Sequence, residues 1–279
     1  PHKIIKSKTN AEPFFDSALS LRRKAMLYIS PFITVYCCVL AALLGACMSS
    51  FIACMCWRIA HGESVLRGRS HCDYCGHTLG VRDLFPIFSY IFSGGKCRYC
   101  GAKLSFGHLA GELLGAVLFV AVLLKFDITL TTLTMLLFIC ILLACSFSDL
   151  NGCKIPNGFI IAGIVLRAVS LLFCEDKAAE ATDALLGGFA ISAAVLFVSF
   201  ILGKILRRAV LCEGDIKLLF VTGLFLGWEK NLLCLIVACL SGVIFVLAAK
   251  KREFPLAPFI SGGAVVALIF GDAIINIIK

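Results

Sequence analysis

Eight apolar runs separated by polar gaps dominate the chain, at 32–57, 109–124, 129–147, 158–174, 184–203, 216–228, 232–248 and 257–277. Most lack the polar face that a surface helix of a soluble protein carries. A helical bilayer crossing takes roughly 20 consecutive apolar residues, so the pattern predicts an all-α polytopic membrane protein with about eight transmembrane helices. The sixth run is short and contains Gly223 and Gly227, which predicts a tilted, broken or partly inserted segment. Such irregularity is tolerated at membrane depth only where protein or a watery cavity surrounds it. The run from Phe32 to Trp57 is too long for the apolar part of a signal peptide and lacks a small-residue cleavage site, so it reads as a retained span. The expected organisation is a basic tail at 1–31, a first transmembrane helix at 32–57, a polar domain at 58–108, and a membrane domain at 109–279.

Composition strengthens this picture. Of 279 residues, 60% are apolar and only 15% charged, whereas soluble domains are about a quarter charged. The net charge of +9 raises the question of nucleic acid. The charges, however, cluster in the gaps between apolar runs, as membrane-flanking loops do, so lipids and not nucleic acid are the expected partners. With the 58–108 domain placed in the cytoplasm, the later loops on that side carry Lys154, then Lys204, Arg207 and Arg208, then Lys250, Lys251 and Arg252. The opposite loops carry Lys125, Lys177 beside three acids, and Lys230. This alternation obeys the positive-inside rule. The tail, with Lys3, Lys6, Lys8, Arg22, Arg23 and Lys24, does not; an interfacial segment within 1–31 is one reading of it.

Candidate chemistry begins in the polar domain with Cys72-Asp73-Tyr74-Cys75 and Cys97-Arg98-Tyr99-Cys100. A pair two residues apart turns both thiolates toward one ion, and a second pair completes a tetrahedral sulfur site for structural zinc. The gap of 21 residues and the glycines after each pair, Gly76 and Gly101, suit a zinc ribbon. A redox or disulfide pair is the alternative, which a reducing cytoplasm disfavours.

Acidic residues beside a span are costly and need a purpose. Asp149 closes the third run and Asp215 opens the sixth, and both fall at the cytoplasmic boundary. Were those spans to pack together, the two carboxylates would divide acid and base roles, as paired carboxylates do in peptide hydrolysis. Balancing Lys154 and Lys217, or forming an ion pathway in a transporter, are the competing uses.

Ordered motifs then narrow the choice. Gly68-Arg69-Ser70-His71-Cys72-Asp73-Tyr74-Cys75, Asp83-Leu84-Phe85-Pro86-Ile87-Phe88-Ser89-Tyr90 and Lys96-Cys97-Arg98-Tyr99-Cys100 are followed by Glu112. Next come Asp149 with Ile155-Pro156, Asp215-Ile216-Lys217-Leu218-Leu219, and Pro255-Leu256-Ala257-Pro258-Phe259 with Gly262-Gly263. Together they resemble the type IV prepilin peptidases, also called prepilin leader peptidase/N-methyltransferases, from about residue 45 to 263. These are intramembrane aspartyl proteases with a Gly-x-Gly-Asp motif. Cys212 stands in place of that motif's first glycine, Leu256-Ala257 where Phe-Gly is common, and Gly107-His108-Leu109 where an Arg-Tyr-Pro-like sequence is common.

The resemblance implies a bacterial inner-membrane enzyme whose zinc domain and active site face the cytoplasm. It would cut the basic leader from prepilins or pseudopilins after a glycine, with Asp149 and Asp215 as catalytic residues and Cys72, Cys75, Cys97 and Cys100 holding zinc. It further implies methylation of the new N-terminus from S-adenosylmethionine, with Glu112 near the methyl donor. Glu213 is a candidate contact for the basic leader, and pilus or secretion machinery are implied partners. An ion-coupled transporter and a noncatalytic assembly protein remain the alternatives.

Overall fold

A computed structural model describes residues 30–65, 68–72, 74–152, 155–174, 176–207, 212–249 and 255–278. The basic tail up to residue 29 lies outside the described residues, as do Lys154, Arg208, Lys250, Lys251 and Arg252 of the charge pattern.

The long elements are α1 (Pro31–Ala60), α3 (Phe106–Phe126), α4 (Leu130–Leu150), α5 (Asn157–Leu171), α6 (Lys177–Leu206), α7 (Glu213–Ala249) and α8 (Ala257–Ile278), with a one-turn α2 (Phe88–Phe92) between α1 and α3. Local signals set several of their ends. Pro31 occupies the first turn of α1, where its missing N–H is no loss. The Ser105 and Thr129 hydroxyls accept from the Gly107 and Thr132 amides and so cap α3 and α4. Six of the helices, α1, α3, α4, α6, α7 and α8, are long and apolar enough to cross a membrane; α5 is apolar but only 15 residues long. The chain is a multi-pass membrane protein.

The break expected in the sixth run is present at Gly227, whose φ of 74° and ψ of −179° interrupt α7. Asn231 Nδ2 reaches the Leu219 carbonyl at 3.2 Å, and the Thr222 hydroxyl meets Asn231 Oδ1 at 2.9 Å. In a straight helix, residues 219 and 231 would be about 18 Å apart. The chain therefore doubles back, and α7 is two arms, 213–226 and 228–249. Counted this way, the eight apolar runs form eight helical segments.

Helix α4 is the most enclosed span, with Phe138, Ile139 and Leu142 fully buried. Its Phe138 ring stacks on Phe225 of the first arm of α7, centroids 4.1 Å apart. Helices α1 and α3 meet backbone to backbone: a Cβ on Gly45 would lie 2.3 Å from the Gly115 carbonyl oxygen, and the Ser49 hydroxyl donates to the Gly111 carbonyl at 2.7 Å. Membrane helices associate through such close approaches because lipid gives them no hydrophobic incentive to do so.

The far end of the bundle is tied by Lys125, which donates to the Leu268 and Ile269 carbonyls and pairs with Asp272 at 2.9 Å. Asp272 also takes Lys230 at 2.6 Å, so one carboxylate joins α3, α7 and α8. Helix α6 starts at Lys177, seven residues before the apolar run at 184, and the exposed acids of that added stretch reach neighbouring segments. Glu180 pairs with Arg167 of α5 at 2.9 Å, and the Asp183 carboxylate lies against Gly227.

Between α1 and α3 the described residues form no strand. Two isolated bridges, His71 with Thr78 and Lys96 with Lys103, close two similar loops.

Candidate functional site

The two loops build a four-sulfur site. In the first, the Gly76 amide donates to the Cys72 carbonyl at 2.8 Å and the Cys72 amide to the His77 carbonyl at 3.0 Å. In the second, the Gly101 amide donates to the Cys97 carbonyl at 2.9 Å and the Cys97 amide to the Ala102 carbonyl at 2.8 Å. Gly76 and Gly101 have φ of 68° and 72°, the left-handed turn expected after each pair.

The sulfurs of Cys72, Cys75, Cys97 and Cys100 all lie within 4.8 Å of one another, with Cys72 and Cys100 at 3.9 Å. Four sulfurs bound tetrahedrally at zinc's ordinary bond length would be separated by about 3.8 Å. The set therefore fits a structural metal ion, a convergence that a thiol pair alone does not need. Amides of Cys100 and Tyr99 pull the Cys97 thiol down to about 7. Cys100 feels an opposing pull from the Ala102 amide, yet lost solvation and the neighbouring thiols push it up to about 11. Asp83 braces the two loops: its carboxylate accepts from the Gly80 amide and the Tyr99 hydroxyl, both at 3.1 Å, and lies 3.5 Å from Arg98. His77 stacks on Tyr99 and His71 meets the edge of Trp57, so neither stands among the converging sulfurs.

The two aspartates lie where helices end. Asp149 is in the last turn of α4 and Asp215 in the first turn of α7. The stacked Phe138 and Phe225 give their relative depth. Asp149 is about 16 Å along α4 from Phe138, and Asp215 about 15 Å back along α7 from Phe225. The helices run in opposite directions, which sets both carboxylates at one level. Asp215 is buried, 6% exposed, while Asp149 is half-buried.

Asp149 Oδ2 accepts the Ala257 amide at 3.0 Å, from the first turn of α8. Sequence reasoning missed that backbone partner. Its signal was Pro255 just ahead of an apolar run, a common way to open a helix. Beneath Asp215, a Cβ on Gly214 would meet the Ile155 side chain at 3.2 Å, so α7 sits close on the Ile155-Pro156 segment. Lys217, a candidate counter-charge, pairs instead with Glu213 at 3.7 Å and Asn157 at 3.2 Å. The Ser148 hydroxyl, beside Asp149, is buried with no partner among the described residues.

The two weaker candidates stand apart from this pair. The side chain of Glu213 is 92% exposed and engaged with Lys217. Glu112 lies on α3 and its Oε2 accepts the Ile87 amide at 2.6 Å.

Comparisons with known proteins agree with this organisation. The profile of the bacterial peptidase A24 N-terminal domain matches residues 43–126, and that of the type IV leader peptidase family matches residues 136–247. The chain is similar to a prepilin leader peptidase/N-methyltransferase of Bacillus subtilis (strain 168), 32% identical over 239 residues, covering 83% of this chain and 94% of that protein. A protein of the same name from Myxococcus xanthus (strain DK1622) is 32% identical over 236 residues, 82% of this chain and 67% of its own. The type 4 prepilin-like proteins leader peptide-processing enzyme of Escherichia coli O78:H11 is 26% identical over 250 residues, 82% and 93% of the two chains. No solved structure matches.

Proposed function

The chain belongs to the type IV leader peptidase family, and from that membership we infer that it is an aspartic endopeptidase cleaving the leader from prepilins or pseudopilins and an N-methyltransferase acting on the new N-terminus. The observation that supports the catalytic assignment is the common depth of Asp149 and Asp215 in the bundle.

In our reading, Asp149, already oriented by the Ala257 amide, is the base. It takes a proton from water as the water oxygen attacks the scissile carbonyl. Asp215 holds the proton that polarises the carbonyl oxygen. Collapse of the tetrahedral adduct breaks the C–N bond, and a proton passes to the leaving amine. Two carboxylates sharing one proton perform both roles without a metal on the path.

The bilayer supplies the geometry. A substrate with an apolar helix and a basic leader has its junction where hydrocarbon meets cytoplasm. We assign the aspartates to that level, in a bacterial inner membrane with the four-cysteine domain on the cytoplasmic side. Glu213, exposed and acidic, is the proposed contact for the leader's positive charge. Zinc in the four-sulfur site would stabilise the small domain, because a site closed by four protein ligands leaves no position for substrate. For methylation the donor is S-adenosylmethionine, with Glu112 as the acid of its neighbourhood, and pilus or secretion machinery would receive the product.

The test is reconstitution of the purified protein in lipid with a prepilin-like substrate, read by mass spectrometry. The expected products are the free leader and a mature chain that gains the mass of one methyl group when S-adenosylmethionine is added. An intact substrate after prolonged incubation with folded protein would overturn the reading.

A further inference from the structure

The domain between α1 and α3 reads as polar, yet it presents a row of exposed aromatic side chains. Phe85, Phe88 and Phe92 follow one another with ring centroids 5.6 Å and 6.4 Å apart. Phe92 is 81% exposed and Phe85 52%. Tyr90 faces the other way, back onto Gly95 beside the cysteine loops. The segment is thus two-faced, with one side on the metal-binding loops and the other unpartnered and apolar.

Its depth follows from Glu112. Ile87 donates its amide to Glu112, six residues into α3 and so about 9 Å along that helix. Phe85 and Phe88 go further and, with Leu43, Ala46 and Cys47 of α1 and Ala116 of α3, line a groove of about 290 Å³. Ala116 is about 15 Å into α3. Helix α3 is itself about one hydrocarbon thickness long. Phe85 and Phe88 therefore lie beside the membrane-spanning parts of α1 and α3, not beyond their ends, on helices that also expose Leu43, Leu113 and Val117.

The backbone meets the demands of that location. Non-helical chain at membrane depth must have its polar groups paired. Besides Ile87, the amides of Phe88, Ser89 and Ile91 bond within the segment, and the Leu84 amide donates to the Val81 carbonyl just before it. Ile87 adopts φ 64°, ψ −54°, costly for a β-branched residue. A bond to a carboxylate offsets such strain and gives Glu112 a reason to stand inside an apolar helix. Arg82 and Arg98 flank the row in a second groove, of about 440 Å³, shared with Phe85, Phe88 and Phe92. Basic side chains beside an apolar edge match anionic headgroups above acyl chains.

We propose that residues 84–92 form a re-entrant element that inserts Phe85, Phe88 and Phe92 into the lipid leaflet on the four-cysteine side, pinned to α3 by Glu112, with Arg82 and Arg98 at the headgroups. Anchored in this way, the metal-binding domain is held against the bilayer. The inference concerns how the domain meets lipid and does not depend on the catalytic assignment.

The experiment places one tryptophan on the row, by Phe88→Trp or separately Phe92→Trp, in full-length protein whose Trp57 and Trp228 are changed to Phe. Each variant is reconstituted in phosphatidylcholine–phosphatidylglycerol vesicles with or without brominated acyl chains. Retained leader cleavage or unchanged circular dichroism identifies folded samples, and the same measurement in Asp149→Asn protein separates this proposal from the peptidase reading. The expected result is loss of emission with bromolipid, stronger for bromines near the headgroup end of the acyl chain, and no loss with aqueous iodide. Quenching by iodide but not by bromolipid would show a row in water and overturn the proposal. Quenching by neither would show it covered by protein, a second copy or a partner, and would also overturn it.

Discussion

Replacing Gly227 by alanine tests the doubling back of α7. With φ 74° and ψ −179°, Gly227 lies in a region that only glycine occupies readily. Holding another residue there costs about 1–3 kcal/mol. Alanine meets a second obstacle, because its Cβ would lie 2.2 Å from Asp183 Oδ2, at the crossing of α6 and α7. Together these imply a loss of about 3 kcal/mol or more, roughly a hundredfold in the unfolding equilibrium. Gly262→Ala is the matched control: Gly262 lies within α8, has no positive φ, and a Cβ there meets nothing within 4 Å. Alanine at that position should be neutral or stabilising by up to about 1 kcal/mol. Unfolding in mixed detergent micelles, titrated with dodecyl sulfate and followed by circular dichroism, compares the two. Equal stability of Gly227→Ala and the parent, or an equal loss in Gly262→Ala, would refute the reasoning.

Asn231 is fully buried and bonds to Thr222, Gly187 and Leu219 across the same reversal. Hydrogen bonds between membrane helices average about 0.6 kcal/mol and reach about 1.7. In the same titration Asn231→Ala should therefore cost about 2–4 kcal/mol; a change indistinguishable from zero would remove Asn231 from the account. Cys72→Ser and Cys97→Ser each take one sulfur from the four-ligand set. Elemental analysis of purified protein should fall from about one zinc per chain to near zero in either variant, and full retention of zinc in both would place the ion elsewhere.

Much of this architecture is legible in the sequence. All eight apolar runs became helical segments because bilayer length and apolar composition leave few other structures open to them. The cysteine loops were legible for a local reason: two-residue spacing and a following glycine determine where the sulfurs point. Asp149 and Asp215 stood out as acids beside spans. Their common level was not visible, since it depends on Phe138 stacking on Phe225 and on the direction each helix runs. The separate runs 216–228 and 232–248, with Lys230 between them, already implied a reversal; the dihedral angles of Gly227 and the reach of Asn231 fix where it falls. The clamp of Lys125 on Asp272 spans 147 positions and has no local signature. Residues 84–92 misled in another way: the run is too short to count as a span and was absorbed into a polar domain. The bond from Ile87 to Glu112 and the groove shared with Ala116 give its depth.

In the proposed mechanism Asp149 and Asp215 act as one catalytic pair. Its most direct test is the rate of leader release by Asp149→Asn and by Asp215→Asn, each reconstituted in lipid and matched to the parent in detergent unfolding. Asparagine keeps the shape but can neither accept the proton from water as a carboxylate does nor supply one as an acid. Leader release should be abolished in each single variant while stability is retained; parent-like release by either folded variant would show that the two carboxylates do not act together.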